Sequence, residues 1–443
     1  MSAAKRDFGS FHSSNVQELL DIQDDEYVPP ELPFRCELFE TYKSNPPIFG
    51  KEIKQKHFLL EDCVFLNHGA FGGVLKDALD IAQKYQIWTE RQPLRFYDRE
   101  LLPRLVHVTR RIAKFINCNA KDIVLVENAT TALNTVIQNI PLKQGDNVFI
   151  LNVTYGAVKK MLRWRCEQTG AQLQEVEVDF PIKDKQQLID YVDKNLKEGS
   201  SLAVFDHIPS NTPFIMPLTE IITICKSRNV PVLIDGAHGL GSLPLNITSL
   251  DPDYYITNAH KWFCSPKGTA LMYVRKELQT LTRPLIISHG FGSGFNSEFI
   301  WAGLHDYSPF LALHTVLDFW EGLGQDRAHQ YMHGLCKQAG RMLFEGWNTE
   351  MAAPEDMFGS MCLVRLPDGL QKISDHMDYS AAETIQNTLY HDYNIEVPVK
   401  CVQQRLYVRI SAHIYNEMSE YKTLRDAVLD IEQSYKEETC QNK

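Results

Sequence analysis

The chain has 443 residues, more than one hydrophobic core comfortably organises, so two domains are expected. Its 45 Lys+Arg against 56 Asp+Glu give a formal charge of -11, which argues against nucleic acid as a partner, because phosphate backbones need clustered cations. Ten cysteines without a CxxC pair suggest neither a zinc knuckle nor a disulfide framework, and they fit reduced thiols.

The first thirty residues lack an apolar h-region and an Arg-rich amphipathic face, and no apolar run reaches the roughly 18 residues of a membrane span. A cytoplasmic protein with no membrane partner is the expectation. Residues 1–61 read as an N-terminal arm, since acidic residues and the Pro pairs at 29–30 and 46–47 break every periodicity. Such an arm wraps a neighbour or stays loose, and it can contribute to a smaller domain.

From residue 62 the rhythm changes. "CVFLNHGAFGG" is a short strand breaking into glycines, and 75–117 carries long helical stretches around "RQPLRFYDREL". Strands follow at 122–126, 147–151, 172–178, 201–205, 230–234, 254–257 and 269–274, most of them apolar throughout, as in strands buried on both faces. With helices between several of them, this is the βαβ alternation of a mostly parallel seven-stranded α/β sheet, assigned to a large domain over 62–307. Residues 308–443 start with a long helix, "PFLALHTVLDFWEGLG", and continue with strands near "MCLVRLP" and "LYVRIS", which reads as a small α+β domain.

Ligands collect at the carboxyl ends of such strands. After 122–126, Ala129 and Thr130 open a helix suited to an anion, or Asn128 is simply its N-cap. After 147–151, Tyr155 is an aromatic plate or a core residue. After 201–205 comes a dense polar cluster, Asp206, His207, Ser210 and Asn211. Asp235 ends a fully apolar strand, where an unpaired carboxylate is costly, so it needs a cation, serves as an N-cap, or joins His238 on a metal for which no third ligand shows at a familiar spacing. Asn258, His260 and Lys261 follow 254–257. An anion site, an aromatic plate, a carboxylate seeking a cation and a lysine match pyridoxal 5′-phosphate, with its phosphate, flat ring, ring nitrogen and aldehyde.

The motifs "LVENATTALN", "NVTYGAVKK", "PVLIDGAHGLG", "NAHKWFCSPKGTALMYV" and "RISAHIYN", in this order, resemble class V of the fold-type-I pyridoxal-phosphate enzymes, in the isopenicillin N epimerase-like and cysteine-desulfhydrase-like group. The resemblance runs from about "FLNHGAFG" at 65 to "YVRISAHIYN" at 407. It implies that Ala129, Thr130, Asn258 and His260 hold the phosphate, Tyr155 stacks on the ring, Asp235 pairs with the ring nitrogen, and His238 lies near the ring hydroxyl. Lys261 becomes the Schiff-base amine and the base for the Cα proton, and Arg409 the clamp for a substrate carboxylate. Asn67 and His68 fall where the family's N-terminal loop approaches the substrate, or form a structural turn. A homodimer is implied, although Leu304 stands where relatives place a threonine thought to reach the neighbouring subunit.

Once the Cα proton is gone, lyase, epimerase and aminotransferase outcomes are all open. The resemblance favours a C–S lyase acting on cysteine or a cysteine conjugate, followed by epimerisation, then transamination, then a cofactor-binding protein without catalysis. A desulfurase would need a mobile nucleophilic Cys, and Cys336 and Cys362, the nearest candidates, read as buried.

Overall fold

The computed structural model describes residues 16–373 and 377–441. Its strands are β1 (Val64–Phe65), β2 (Ile123–Val126), β3 (Asn147–Leu151), β4 (Gln172–Val176), β5 (Leu202–Asp206), β6 (Val232–Asp235), β7 (Tyr254–Asn258), β8 (Ala270–Val274), β9 (Met361–Arg365), β10 (Ile395–Glu396), β11 (Val399–Val402) and β12 (Arg405–Ser411). β2 to β8 form one seven-stranded sheet in the order β2-β8-β7-β6-β5-β3-β4. Only β8 runs against its neighbours, β2 and β7, so the sheet is mostly parallel as the apolar strands require.

Alternation along these strands feeds two cores. Phe149, Leu151, Phe205 and Ile234 pack on one face, and Val148, Ile150, Val204, Leu233 and Ile256 on the other. By the same alternation Asp206 and Asp235, one step beyond Phe205 and Ile234, turn to the face covered by the helix Ala129–Asn139.

The smaller sheet, β11-β12-β9, is antiparallel. β1 pairs in parallel with β10, and Ser411 N–H donates to Leu66 O, which brings the "LNHGAFG" turn beside β12. The long helix expected over 309–324 is interrupted at Ala312, giving Ser308–Leu311 and Leu313–Leu323, and ends at Gly324 (φ 79), after which a second helix, Gln325–Trp347, follows.

The arm differs from its expectation. Short helices Val16–Asp21, Leu38–Thr41 and Lys51–His57 fold back on their own chain, with Phe39 and Ile53 wholly buried. Arg110 donates to the carbonyls of Leu19, Leu20 and Ile22 and stacks over Tyr27, while Asp77 holds His57 and, through it, Tyr42. These tertiary polar contacts have no periodicity for a sequence to display. Residues 1–15 lie outside the described residues. Among the described residues no helix is long and apolar enough to cross a membrane.

Candidate active site

Turns at the carboxyl ends of β2, β3, β5, β6 and β7 enclose a cavity of about 200 Å³. Ala129, Thr130, Tyr155, Asp235, His238, Asn258, His260 and Lys261, eight of the residues singled out in the sequence, line it.

At its anion-suited end, Asn128 caps the helix by accepting the Thr131 N–H at 2.9 Å, so the ordinary N-cap is present. Ala129 N–H donates to Asn258 Oδ1 at 2.9 Å, tying β7 to the helix and leaving exposed Thr130 at the rim. His260 Nδ1 faces Thr269 O at 3.0 Å and therefore carries the proton, while burial depresses its pKa to about 4, so the ring is neutral.

Lys261 follows β7 on a turn that other segments hold. Burial lowers its amine to about 8, against the opposing pull of Asp235. Its Nζ lies 3.4 Å from His238 Nε2. Trp262 Nε1–H can only donate, and it donates to His238 Nδ1 at 3.1 Å, so the neutral imidazole carries its proton on Nε2. An N–H facing the amine disfavours an ammonium there. Burial holds His238 well below its ordinary pKa, which keeps this tautomer.

Asp235 is 4 % exposed and Asp206 is 3 %. Asp235 Oδ1 accepts the Ala237 N–H at 3.0 Å, and burial raises its pKa. Asp206 Oδ1 accepts the Tyr155 N–H at 3.2 Å. No third group joins Asp235 and His238 at metal-ligand distance; among the described residues the cluster that could hold an ion is His68, Cys264 and His413.

Arg409 does not line the cavity. It lies behind Ser210, which does, and donates to Ser210 O at 2.6 Å, Ser210 Oγ at 3.3 Å and Asn67 Oδ1 at 2.9 Å. Asn67 in turn donates to Glu396 at 2.8 Å, so it orients the guanidinium.

His68 sits elsewhere than the substrate-facing loop position. It is fully buried beneath the Lys261 turn, with Nδ1 at 2.7 Å from Tyr415 OH, Nε2 at 3.1 Å from Lys261 O, and its ring stacked on His413 at 4.0 Å. Beside it Gly72, at φ 71, passes so close that a Cβ would lie 2.4 Å from His260 O and 2.7 Å from the Lys261 Cα. The "NHGAFGG" motif thus buttresses the lysine turn.

In the sequence Asp206 and Ser210 stand in a polar cluster that signals no role of its own, yet both line the cavity. The available signal for Asp206 was the one that marked Asp235, a carboxylate closing an apolar strand. His207, its neighbour, turns away to Tyr255 OH at 2.8 Å.

Comparison with known proteins matches the aminotransferase class-V family model over residues 100–424. A probable chloroplastic L-cysteine desulfhydrase of Arabidopsis thaliana is 32% identical over 87% of this chain and 86% of its own length. Isopenicillin N epimerase of Amycolatopsis lactamdurans is 24% identical over 76% and 88%. The apo structure of a cysteine desulfurase from Thermococcus onnurineus superposes with a TM-score of 0.73 at 18% identity, covering 88% of this chain and 99% of that one. With the family model spanning both the large and the smaller sheet and all of the cavity lining but Ala70 and Phe71, the chain belongs to the aminotransferase class-V family and has the fold-type-I architecture.

Proposed function

We propose that this protein is a pyridoxal 5′-phosphate-dependent C–S lyase that releases sulfide from L-cysteine, or the corresponding thiol from a cysteine conjugate. The observation that carries the reading is a buried lysine of depressed pKa in one cavity with a buried carboxylate, an arginine held behind the Ser210 wall of that cavity. Two buried polar atoms, Asp206 Oδ2 and Arg409 Nε, have no hydrogen-bond partner, so the region is built for a polar occupant. The residues present fit the cofactor: the Thr130 hydroxyl and the Asn258 amide would donate to its phosphate, with Ala129 and the neutral His260 beside it, while Tyr155 would face its ring, Asp235 its ring nitrogen, His238 its hydroxyl and Lys261 its aldehyde.

When bound, the cofactor supplies an electron sink that acidifies the substrate Cα–H. Arg409, with Asn67 and Ser210 fixing its fork, binds the substrate carboxylate. Lys261 Nζ accepts the Cα proton, a task its lowered pKa suits near neutral pH. His238 Nε2–H orients that amine. Overall, cysteine and water become pyruvate, ammonia and hydrogen sulfide.

Release of sulfur to solvent, rather than to a protein thiol, is supported by the cysteines. None of the nine unpaired cysteines whose surroundings are described lines the cavity. Cys336 and Cys362 are buried, and burial raises the Cys362 thiol well above its ordinary pKa. Identity of 32% to a relative named for desulfhydration, against 24% for one named for epimerisation, favours elimination over epimerisation. Unpaired thiols favour a reducing compartment such as the cytosol.

The same reading includes a homodimer, with an arm at 1–61, a large domain at 62–307 and a small one at 308–443. Exposed Leu285, Ile286, Ile287, Phe291 and Leu304 supply the apolar surface a second copy would cover. Assaying sulfide and pyruvate from L-cysteine tests the function: equimolar release by the wild type, and none by Lys261→Ala, is expected. Sulfide release that persists in Lys261→Ala would refute it.

A further inference from the structure

The cavity floor holds two carboxyl groups, and the proposed function uses one of them. Asp206 and Asp235 are direct partners in the parallel register of β5 and β6, and alternation turns both to the same face. Adjacent strands lie about 4.8 Å apart, so the two side chains stand next to each other with almost no water. Two carboxylates so placed do not both ionise near neutral pH.

Their partners decide which one keeps the charge. Asp235 accepts the Ala237 N–H and lines the same cavity as the Lys261 amine, whose charge favours the ionised carboxylate. Asp206 accepts only the Tyr155 N–H by Oδ1, from the β3 turn, and the Thr154 hydroxyl. Its Oδ2 is buried without a donor. A bare anionic oxygen there carries the full desolvation cost, whereas a protonated one does not. The remaining charged or titratable groups around Asp206 are Lys159 on the following helix, Lys261 on the β7 turn, and the neutral imidazoles His207 and His238.

We propose that Asp206 is the proton-bearing member of an Asp206–Asp235 pair and a positioning residue. As a neutral carboxyl it fastens the Tyr155 turn and leaves the cavity floor with one negative charge, on Asp235. Burial first, and the Asp235 charge second, push the Asp206 carboxyl well above the ordinary carboxylate range, in agreement with this assignment. The role given to Tyr155 rests on the proposed function; the proton on Asp206 belongs to the protein and is measurable without any cofactor.

Infrared difference spectra of cofactor-free wild type and Asp206→Asn at pH 7 test the proton. The expected result is loss of a protonated-carboxyl C=O band with the carboxylate bands unchanged; Asp206→Ser is the second variant if Asn does not fold. Loss of carboxylate absorbance instead would overturn the proposal, as would disappearance of the protonated band in Asp235→Asn but not in Asp206→Asn. Titration with pyridoxal phosphate tests the positioning. Asp206→Asn keeps the affinity within about threefold, whereas Asp206→Ala, lacking an acceptor for Tyr155 N–H, weakens it about tenfold or more. Equal losses in the two variants would overturn the positioning role.

Discussion

Gly72→Ala is the substitution whose cost is most fully written in the geometry. Gly72 has φ 71 and ψ 153, a region essentially reserved for glycine, so an L side chain there costs of order 1–3 kcal/mol in backbone conformation alone. The added Cβ would also lie 2.4 Å from His260 O and 2.7 Å from the Lys261 Cα and carbonyl oxygen, against about 3.4 Å for ordinary contact. Because the obstacles are backbone atoms, relief requires the lysine turn to move by about 1 Å. A displacement of that size at a reacting group is worth about a hundredfold in rate. Gly73 is the internal control, since its Cβ would meet only Leu60 and Phe58 side chains at 3.6 Å. Cofactor titration by visible absorbance and steady-state sulfide release should therefore show Gly72→Ala impaired about a hundredfold and Gly73→Ala within about twofold of wild type. A Gly72→Ala protein with wild-type cofactor affinity and turnover would refute the claim that this glycine sets the lysine turn.

Three further outcomes are expected. The rate at which cofactor-free protein captures pyridoxal phosphate rises with pH and is half-maximal near 8, because the reactive amine is the neutral form of Lys261; stopped-flow absorbance reads this, and a midpoint near the ordinary lysine value would contradict it. Arg409→Lys forfeits the planar fork held by Ser210 and Asn67, and loss of one charge-assisted bond of about 1.5–3 kcal/mol raises KM for cysteine roughly tenfold to a hundredfold with a smaller change in kcat. Acid destabilises the fold through its buried imidazoles: burial lowers His413 to about 3 and holds His68 and His238 well below their ordinary values. Their folded pKa values lie below the unfolded value of about 6.5, so stability is full above that pH and falls toward the folded pKa, by up to about 1.4 kcal/mol per pH unit per imidazole. Urea midpoints between pH 7 and 5 measure this, and a flat profile would oppose it.

Much of this architecture was legible in the sequence. Strands buried on both faces are written as apolar runs, which placed every strand of the large sheet but the half-exposed edge strand β4, read from its alternation, and a polar residue closing such a run points to the carboxyl edge where Asp235, Asn258 and Lys261 meet. Other features escaped because their determinants are contacts between distant segments. The arm's course depends on Arg110 gathering carbonyls from 19 to 22, and β1 and β10 are two-residue strands that pair across more than three hundred positions. His68 could not be told from a substrate ligand until Tyr415 and the Lys261 carbonyl were seen on its two nitrogens. Asp206 carries the same strand-end signature as Asp235, yet only the register shows that the two share one cavity floor.

Every role proposed for the cavity depends on the Lys261 amine being the group that engages the cofactor aldehyde. Borohydride reduction of the protein loaded with pyridoxal phosphate, followed by peptide mass mapping, measures this directly. The expected result is a yellow protein that bleaches on reduction and carries one stoichiometric pyridoxyl adduct, on Lys261. A colourless protein with no adduct, or an adduct confined to another lysine, would contradict it.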